Sequence, residues 1–207
     1  SSYTPELIEG FIKRYDRFPI TDLILVDIEA GKEKVEIITE LTKRMFKKAN
    51  LDVNVSYTFN RREALKDANF VTTQFRVGLL DARSIDESIP AKYGMLGQET
   101  NGIGGLFKGL RTIPIVLDIV KDVEEICPDA FIINFTNPAG MVTEAVNKYT
   151  NFKKFIGVCN VPIHMRFELA DMLNINRDDL EIDFLGLNHM VFGLSSRIKG
   201  IDATKEV

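Results

Sequence analysis

Short unbroken apolar runs alternate along this chain with longer stretches in which apolar residues recur at helical spacing. Leu23-Ile24-Leu25-Val26 is one such run and closes on Asp27, which predicts a parallel strand buried on both faces with a carboxylate at its end. Ahead of it, Leu7, Ile8, Phe11, Ile12 and Tyr15 predict a helix, with Thr4 as candidate N-cap, Pro5 at the first helical position and Glu6 in the first turn. Behind it come an amphipathic stretch from about Lys32 to Lys48, a strand at Val53–Tyr57, one or two helical turns at Arg62–Lys66 and a strand at Phe70–Phe75. Leu110–Ile126 is helical in pattern, with Pro114 as a candidate true start. Strands at Ala130–Phe135 and Phe155–Val158 then alternate with helices at Met141–Tyr149 and from Pro162 to about Leu173. Such alternation predicts an α/β fold, a parallel sheet built from βαβ units.

Two stretches depart from that rhythm. From Arg76 to Gly109 the period is lost among Tyr93-Gly94, Gly97-Gln98-Glu99-Thr100-Asn101-Gly102 and Gly104-Gly105, which predicts a long irregular segment of functional or mobile character. After Asn174-Ile175-Asn176-Arg177-Asp178, Leu180–Phe184 and Met190–Ile198 read as strand following strand. The expected division is a nucleotide-binding domain over 1–175 and the start of an α+β C-terminal domain over 176–207.

Composition narrows the partners. The chain has 207 residues, 26 basic against 30 acidic, for a net charge of −4, and no basic run of the kind that binds nucleic acid. A small anionic substrate stays open, because a few local arginines hold phosphate inside an acidic protein. No apolar run approaches the ~20 residues that span a bilayer, and no basic stretch followed by an apolar core begins the chain. Cys127 and Cys159 do not make a disulfide framework and read as free thiols of a reducing cytoplasm.

Cys159 follows the run Phe155-Ile156-Gly157-Val158, and His189 follows Phe184-Leu185-Gly186-Leu187-Asn188, so each stands at a strand end, where open α/β sheets carry their chemistry. A thiolate and an imidazole can share one divalent cation and leave positions open for substrate. Against this stands the ordinary reading of a buried cysteine and a hydrogen-bonded core histidine. His164, on the first turn of a helix, is a weak third candidate. In a dinucleotide fold the carboxylate ending the second strand binds ribose, which suits Asp27; a helix cap suits it equally, because the Gly-rich turn and first strand that would precede it are not in the sequence. Ser1 and Ser2 are placed for phosphate or backbone contacts. We therefore expect that residue 1 is not the natural start.

Ser1-Ser2-Tyr3-Thr4-Pro5-Glu6-Leu7, Gln74-Phe75-Arg76-Val77-Gly78, Tyr93-Gly94 with Gly97-Gln98-Glu99-Thr100, Asn134-Phe135-Thr136-Asn137-Pro138-Ala139-Gly140, Gly157-Val158-Cys159-Asn160-Val161-Pro162 and Gly186-Leu187-Asn188-His189 together resemble glycoside hydrolase family 4, its 6-phospho-β-glucosidase branch most closely. The resemblance implies a Rossmann-like doubly wound parallel sheet of the lactate/malate dehydrogenase kind. It also implies NAD and a divalent metal, commonly manganese, as cofactors, a phosphorylated disaccharide or aryl glycoside as substrate, and a homo-oligomer. Hydrolysis would run by hydride transfer from sugar C3 to NAD, loss of the acidified C2 proton, departure of the aglycone, addition of water and return of the hydride, unlike the paired-carboxylate route.

By the same resemblance Cys159 and His189 are the metal ligands, touching the C2 and C3 oxygens through a Lewis acid. Arg83 and Asn137 contact the substrate and Arg76 is a second phosphate candidate, a guanidinium donating two parallel hydrogen bonds to such a group. Glu99 raises the basicity of a catalytic tyrosine that, with a further phosphate-binding arginine, lies beyond residue 207. Asn160 stands where the α-glucosidase branch has an acidic proton donor; an amide cannot act so, which favours a β-linked substrate and makes Asn160 a positioning residue. The chain alone is therefore expected to be incomplete at both ends and inactive. The alternatives are a 2-hydroxyacid dehydrogenase of the malate/lactate type, a 6-phospho-α-glucosidase, and a nucleotide-binding module without catalysis.

Overall fold

A computed structural model describes residues 3–205. Parallel strands, in one pair and one set of three, alternate with helices up to Met172 and an antiparallel sheet follows, a Rossmann-like α/β fold with a third sheet after it. The described residues form two compact units. One comprises the residues up to Asn69 together with Asp122–Pro128; the other comprises Phe70–Lys121 and the described residues from Asp129 onward.

In the first unit the order is α1 (Thr4–Lys13), β1 (Asp22–Val26), α2 (Lys32–Lys48), β2 (Asn54–Thr58) and α3 (Arg61–Ala64). The amphipathic stretch forms α2 with the expected ends, and its buried residues Val35, Thr39, Thr42 and Phe46 fall on one stripe. Ile8, Phe46 and Val55 make the core, with Phe11, Ile12, Leu23 and Leu51 packed around them. β1 and β2 pair in parallel from Asp22↔Asn54 to Val26↔Thr58. Asp122 and Glu125 receive the guanidiniums of Arg61 and Arg62, anchoring α3.

Two expectations change here. Thr4 is not the cap: Tyr3 holds that position, no side chain caps the helix, and Thr4 is buried as its first residue. Nor is β1 buried on both faces. Leu23 and Leu25, on one face of the two-stranded sheet, are half-buried, while Ile24 and Val26, on the other, are exposed.

The second unit contains β3 (Phe70–Thr73), α4 (Leu79–Ala91), most of α5 (Gly102–Ile126), β4 (Phe131–Asn134), α6 (Ala139–Tyr149), β5 (Phe155–Gly157), α7 (Val161–Met172), β6 (Leu180–Leu187), β7 (Met190–Ile198) and β8 (Ile201–Asp202). β3, β4 and β5 form a parallel sheet in that order; β6, β7 and β8 form an antiparallel one with a bulge at Asp183/Phe184. Val116, Val120, Ile132, Val142, Val146 and Leu180 are fully buried.

The irregular segment expected over 76–109 is mostly helix, α4 and the start of α5, and Pro114 lies inside α5. The glycines misled because they serve packing. A Cβ at Gly97 would lie 2.0 Å from the Glu87 carbonyl oxygen, one at Gly104 2.2 Å from that of Gln98, and one at Gly105 2.3 Å from that of Thr100. These contacts let the α4–α5 loop fold tightly onto both helices, outweighing the roughly 1 kcal/mol that a helical glycine loses against alanine. Among the described residues no helix is long and apolar enough to cross a membrane.

Candidate active site

The residues singled out from Arg76 onward lie in the second unit, at the C-terminal ends of its parallel strands, on α4, and in the loops beside them. Asn134 organises the strand ends. Fully buried, its Oδ1 accepts from Thr73 Oγ1 (2.7 Å) and the Thr136 N–H (3.2 Å), its Nδ2 donates to the Thr136 carbonyl (3.1 Å), and its own carbonyl accepts from the Val158 N–H (2.9 Å). One residue, through its amide and its backbone carbonyl, thus ties the ends of β3, β4 and β5 together.

Cys159 follows β5, and the Val161 N–H at the start of α7 points to its Sγ at 3.5 Å. His189 sits in the two-residue connection between β6 and β7, with φ of +62°, a left-handed conformation that histidine adopts more readily than most side chains. Cys159 Sγ and His189 Nε2 are 3.5 Å apart. The first turn of α6 sets this distance through small contacts: a Cβ on Gly157 would lie 2.1 Å from Thr143 Oγ1, and one on Gly140 3.1 Å from the Cβ of Asn188. The first approach leaves no room for a side chain at residue 157, and the second is tight at residue 140.

Bonds of about 2.3 Å to sulfur and 2.1 Å to imidazole nitrogen place two tetrahedral donors roughly 3.6 Å apart, so the observed separation fits a shared divalent cation. Among the described residues no group of three His, Cys, Asp or Glu side chains could hold a metal, which leaves the other positions to ligands from outside that set. Both cysteines are free; Cys127 is buried, which pushes its thiol pKa up, and Cys159 is half-buried. The exposed His164 belongs to no such group.

A second cluster gathers around Glu99. Its Oε1 meets the Lys108 ammonium and lies 2.6 Å from Arg76 Nη1, while Oε2 lies 3.3 Å from Arg83 Nη1. Arg83 is also held by Glu87, one helical turn on, at 2.7 Å. Burial opposes the charge on Glu99, but Lys108 and Arg76 outweigh it and hold the carboxyl below the usual range. Burial likewise lowers the Lys108 pKa, which Glu99 offsets only in part. Beside them Asp86 of α4 accepts both terminal nitrogens of Arg111 on α5. Arg76, Arg83 and Glu99 were singled out from the sequence and come together. Lys108, Asp86 and Arg111 were not, although Lys108/Arg111 and Arg83/Asp86 carry a signal, charges three residues apart on one helix face.

The remaining candidates are more dispersed. Asn137 precedes Pro138 through a cis bond and is half-buried, its Oδ1 accepting the Ala139 N–H at 3.3 Å. Asn160 is the N-cap residue of α7, its Oδ1 4.0 Å from Cys159 Sγ. Asp27 belongs to the first unit, where its Oδ1 accepts the Ile28 N–H at 2.8 Å and its carboxylate lies over Gly31. Ser1 and Ser2 lie outside the described residues.

Comparison with known proteins gives concordant results. The family described as Family 4 glycosyl hydrolase matches residues 1–175. A probable 6-phospho-beta-glucosidase of Bacillus subtilis (strain 168) is 59% identical over all 207 residues, which cover 47% of its own length. The 6-phospho-beta-glucosidase of Escherichia coli (strain K12) is 64% identical over 193 residues, 93% of this chain and 43% of that protein. Among solved structures, the 6-phospho-beta glucosidase of Thermotoga maritima with manganese, NAD+ and glucose-6-phosphate superposes with a TM-score of 0.91 at 41% identity, over 100% of this chain and 49% of that one. The chain thus spans about half the length of the relatives it matches.

Proposed function

The chain belongs to family 4 of the glycosyl hydrolases, and from that membership we propose that it is part of a 6-phospho-β-glucosidase that works with NAD and a divalent metal, manganese in the relative named above. The observation that carries the reading is the approach of Cys159 and His189 from separate elements to 3.5 Å. A dehydrogenase of the malate/lactate type has no use for a thiol there.

Cys159 and His189 would hold the metal, with sugar oxygens completing its shell. Once bound, the nicotinamide supplies reversible hydride acceptance and the metal supplies polarisation of the sugar's C2 and C3 oxygens. The chain's own residues bind and orient. Arg83, Asn137 and Arg76 meet the phosphorylated sugar, and Glu99, kept as a carboxylate by its cations, presents a fixed negative charge to the proton-abstracting group. Asn160 offers an amide beside the cysteine and no acidic proton, in keeping with a β-linked substrate. Asp27 would bind the cofactor's ribose by swinging off its own backbone, with Ser1 and Ser2 toward the pyrophosphate. Residues 1–175 would form the nucleotide domain and 176–207 would begin the substrate domain. The free thiols suit a reducing cytoplasm, and assembly as a homo-oligomer completes the reading.

The test is hydrolysis of an aryl 6-phospho-β-glucoside by the full-length protein, stripped of metal and nucleotide and then resupplied. Activity should require both NAD and manganese. Turnover undiminished without either would overturn the reading.

A further inference from the structure

The cations around Glu99 differ in depth. The side chain of Lys108 is 6% exposed, Glu99 18%, Arg76 29% and Arg83 40%, so exposure rises steadily from the ammonium to the guanidiniums. They also differ in their alternatives. Arg83 has Glu87 as a second carboxylate. Arg76 Nη1 pairs with Glu99 Oε1 at 2.6 Å and has no second carboxylate among the described residues. Among the described residues Glu99 is the only carboxylate paired with Lys108, whose other charged neighbours, Arg76 and Arg83, repel it. Losing Glu99 would leave a buried ammonium facing two guanidiniums, the costliest state available to this cluster.

We propose that Glu99 stands in for the ligand's phosphate: in the free protein it occupies Arg76 and Arg83, and when a phosphoryl dianion arrives it is retained by Lys108 while the guanidiniums turn to the ligand. Lys108 is then a positioning residue for substrate binding. The weakest link, Arg83 Nη1 to Glu99 Oε2 at 3.3 Å, is the first to exchange, and it is on the most exposed of the three cations. The exchange keeps every charge paired. Glu99 stays ionised on Lys108, Arg83 keeps Glu87, and the dianion takes the freed donors of both arginines. Without Lys108, Glu99 has only the arginines to pair with and competes with the ligand for them.

This inference rests on the proposed reading that Arg76 and Arg83 meet the sugar phosphate, and the test separates the two. Inorganic phosphate is titrated calorimetrically into full-length protein as wild type, Glu99→Gln, Lys108→Met, the double variant and Arg83→Ala. Glu99→Gln should bind phosphate about fivefold more tightly and Lys108→Met about tenfold more weakly. The double variant should match Glu99→Gln, because Lys108 has no role once Glu99 is neutral. Simple addition of the two single effects would instead leave the double variant about twofold weaker than wild type, and that result overturns the proposal. Removing both partners avoids stranding the buried Lys108 ammonium and leaves only the more exposed guanidiniums to find partners, so the double variant decides by itself if a single one fails to fold. Unchanged affinity in Arg83→Ala would sink the phosphate-site reading; lost affinity there with no change in Glu99→Gln would sink only the exchange.

Discussion

Cys159 and His189 are thirty residues apart in sequence, yet Sγ and Nε2 stand 3.5 Å apart because Gly157 and Asn188 both pack against the first turn of α6. Neither side chain is placed by its own strand alone. The first prediction concerns this support. A methyl at residue 157 would fall 2.1 Å from Thr143 Oγ1, so Gly157→Ala must push β5 and α6 apart. Manganese affinity of the full-length protein, followed by calorimetry, should fall at least about tenfold, and Thr143→Ala in the same protein should recover part of it, since it removes the clashing hydroxyl.

Cys159→Ser removes the sulfur but leaves a side chain of nearly the same shape. Metal binding should drop by about two orders of magnitude, while the melting temperature in the presence of a chelator stays within about 2 °C of wild type. Unaltered manganese binding would return Cys159 to the status of a structural thiol.

Asp86 is buried and receives both terminal nitrogens of Arg111, tying α4 to α5. Asp86→Ala leaves a guanidinium with no carboxylate inside the fold and should cost about 3 kcal/mol, read from thermal or urea unfolding. Changing both partners, to Asp86→Ala with Arg111→Met, should cost less than that single change. An equal or larger loss in the double variant would mean that the pair does not account for the stability.

Asp122 links two arginines to the last turn of α5 and carries a pH dependence. Burial pushes its carboxyl up, but Arg61 and Arg62 outweigh this and hold it below the ordinary aspartate value. A depressed folded-state pKa means stability present at neutral pH, which starts to fade as the pH drops through the unfolded value near 4 and is gone below the folded value. Asp122→Asn should therefore lower stability by about 1–3 kcal/mol at pH 7, with the difference from wild type closing in acid. A gap that persists unchanged into strong acid would argue against the ion pairs as its source.

Much of the fold was legible because periodicity reports burial directly. The ends of α2 at Lys32 and Lys48, the parallel strands, and the antiparallel pair after residue 180 all follow from it. What periodicity missed was decided by tertiary contact. Gly97, Gly104 and Gly105 look like loop residues until the carbonyls pressed against them are known, so α4 and the first turns of α5 went unread. Asp86 and Lys108 look like surface charges until Arg111 and Glu99 are found opposite them. At Ile24 and Val26 the same logic failed in reverse, since an apolar run shows that a strand can be covered on both faces but not that it is.

The amide of Asn134 also bears on how the sheet selects its alignment. Shifting β3 by one residue against β4 would turn Thr73 away from Asn134, leave the amide without its partner there, and reverse which side chains face the core. A buried amide deprived of a partner costs roughly 1–3 kcal/mol, so misaligned forms of this sheet are disfavoured at the C-terminal ends of its strands. Asn134 thus acts as a register check on β3 against β4, while its backbone carbonyl, bonded to the Val158 N–H, fixes the strand end from which the Cys159 loop departs.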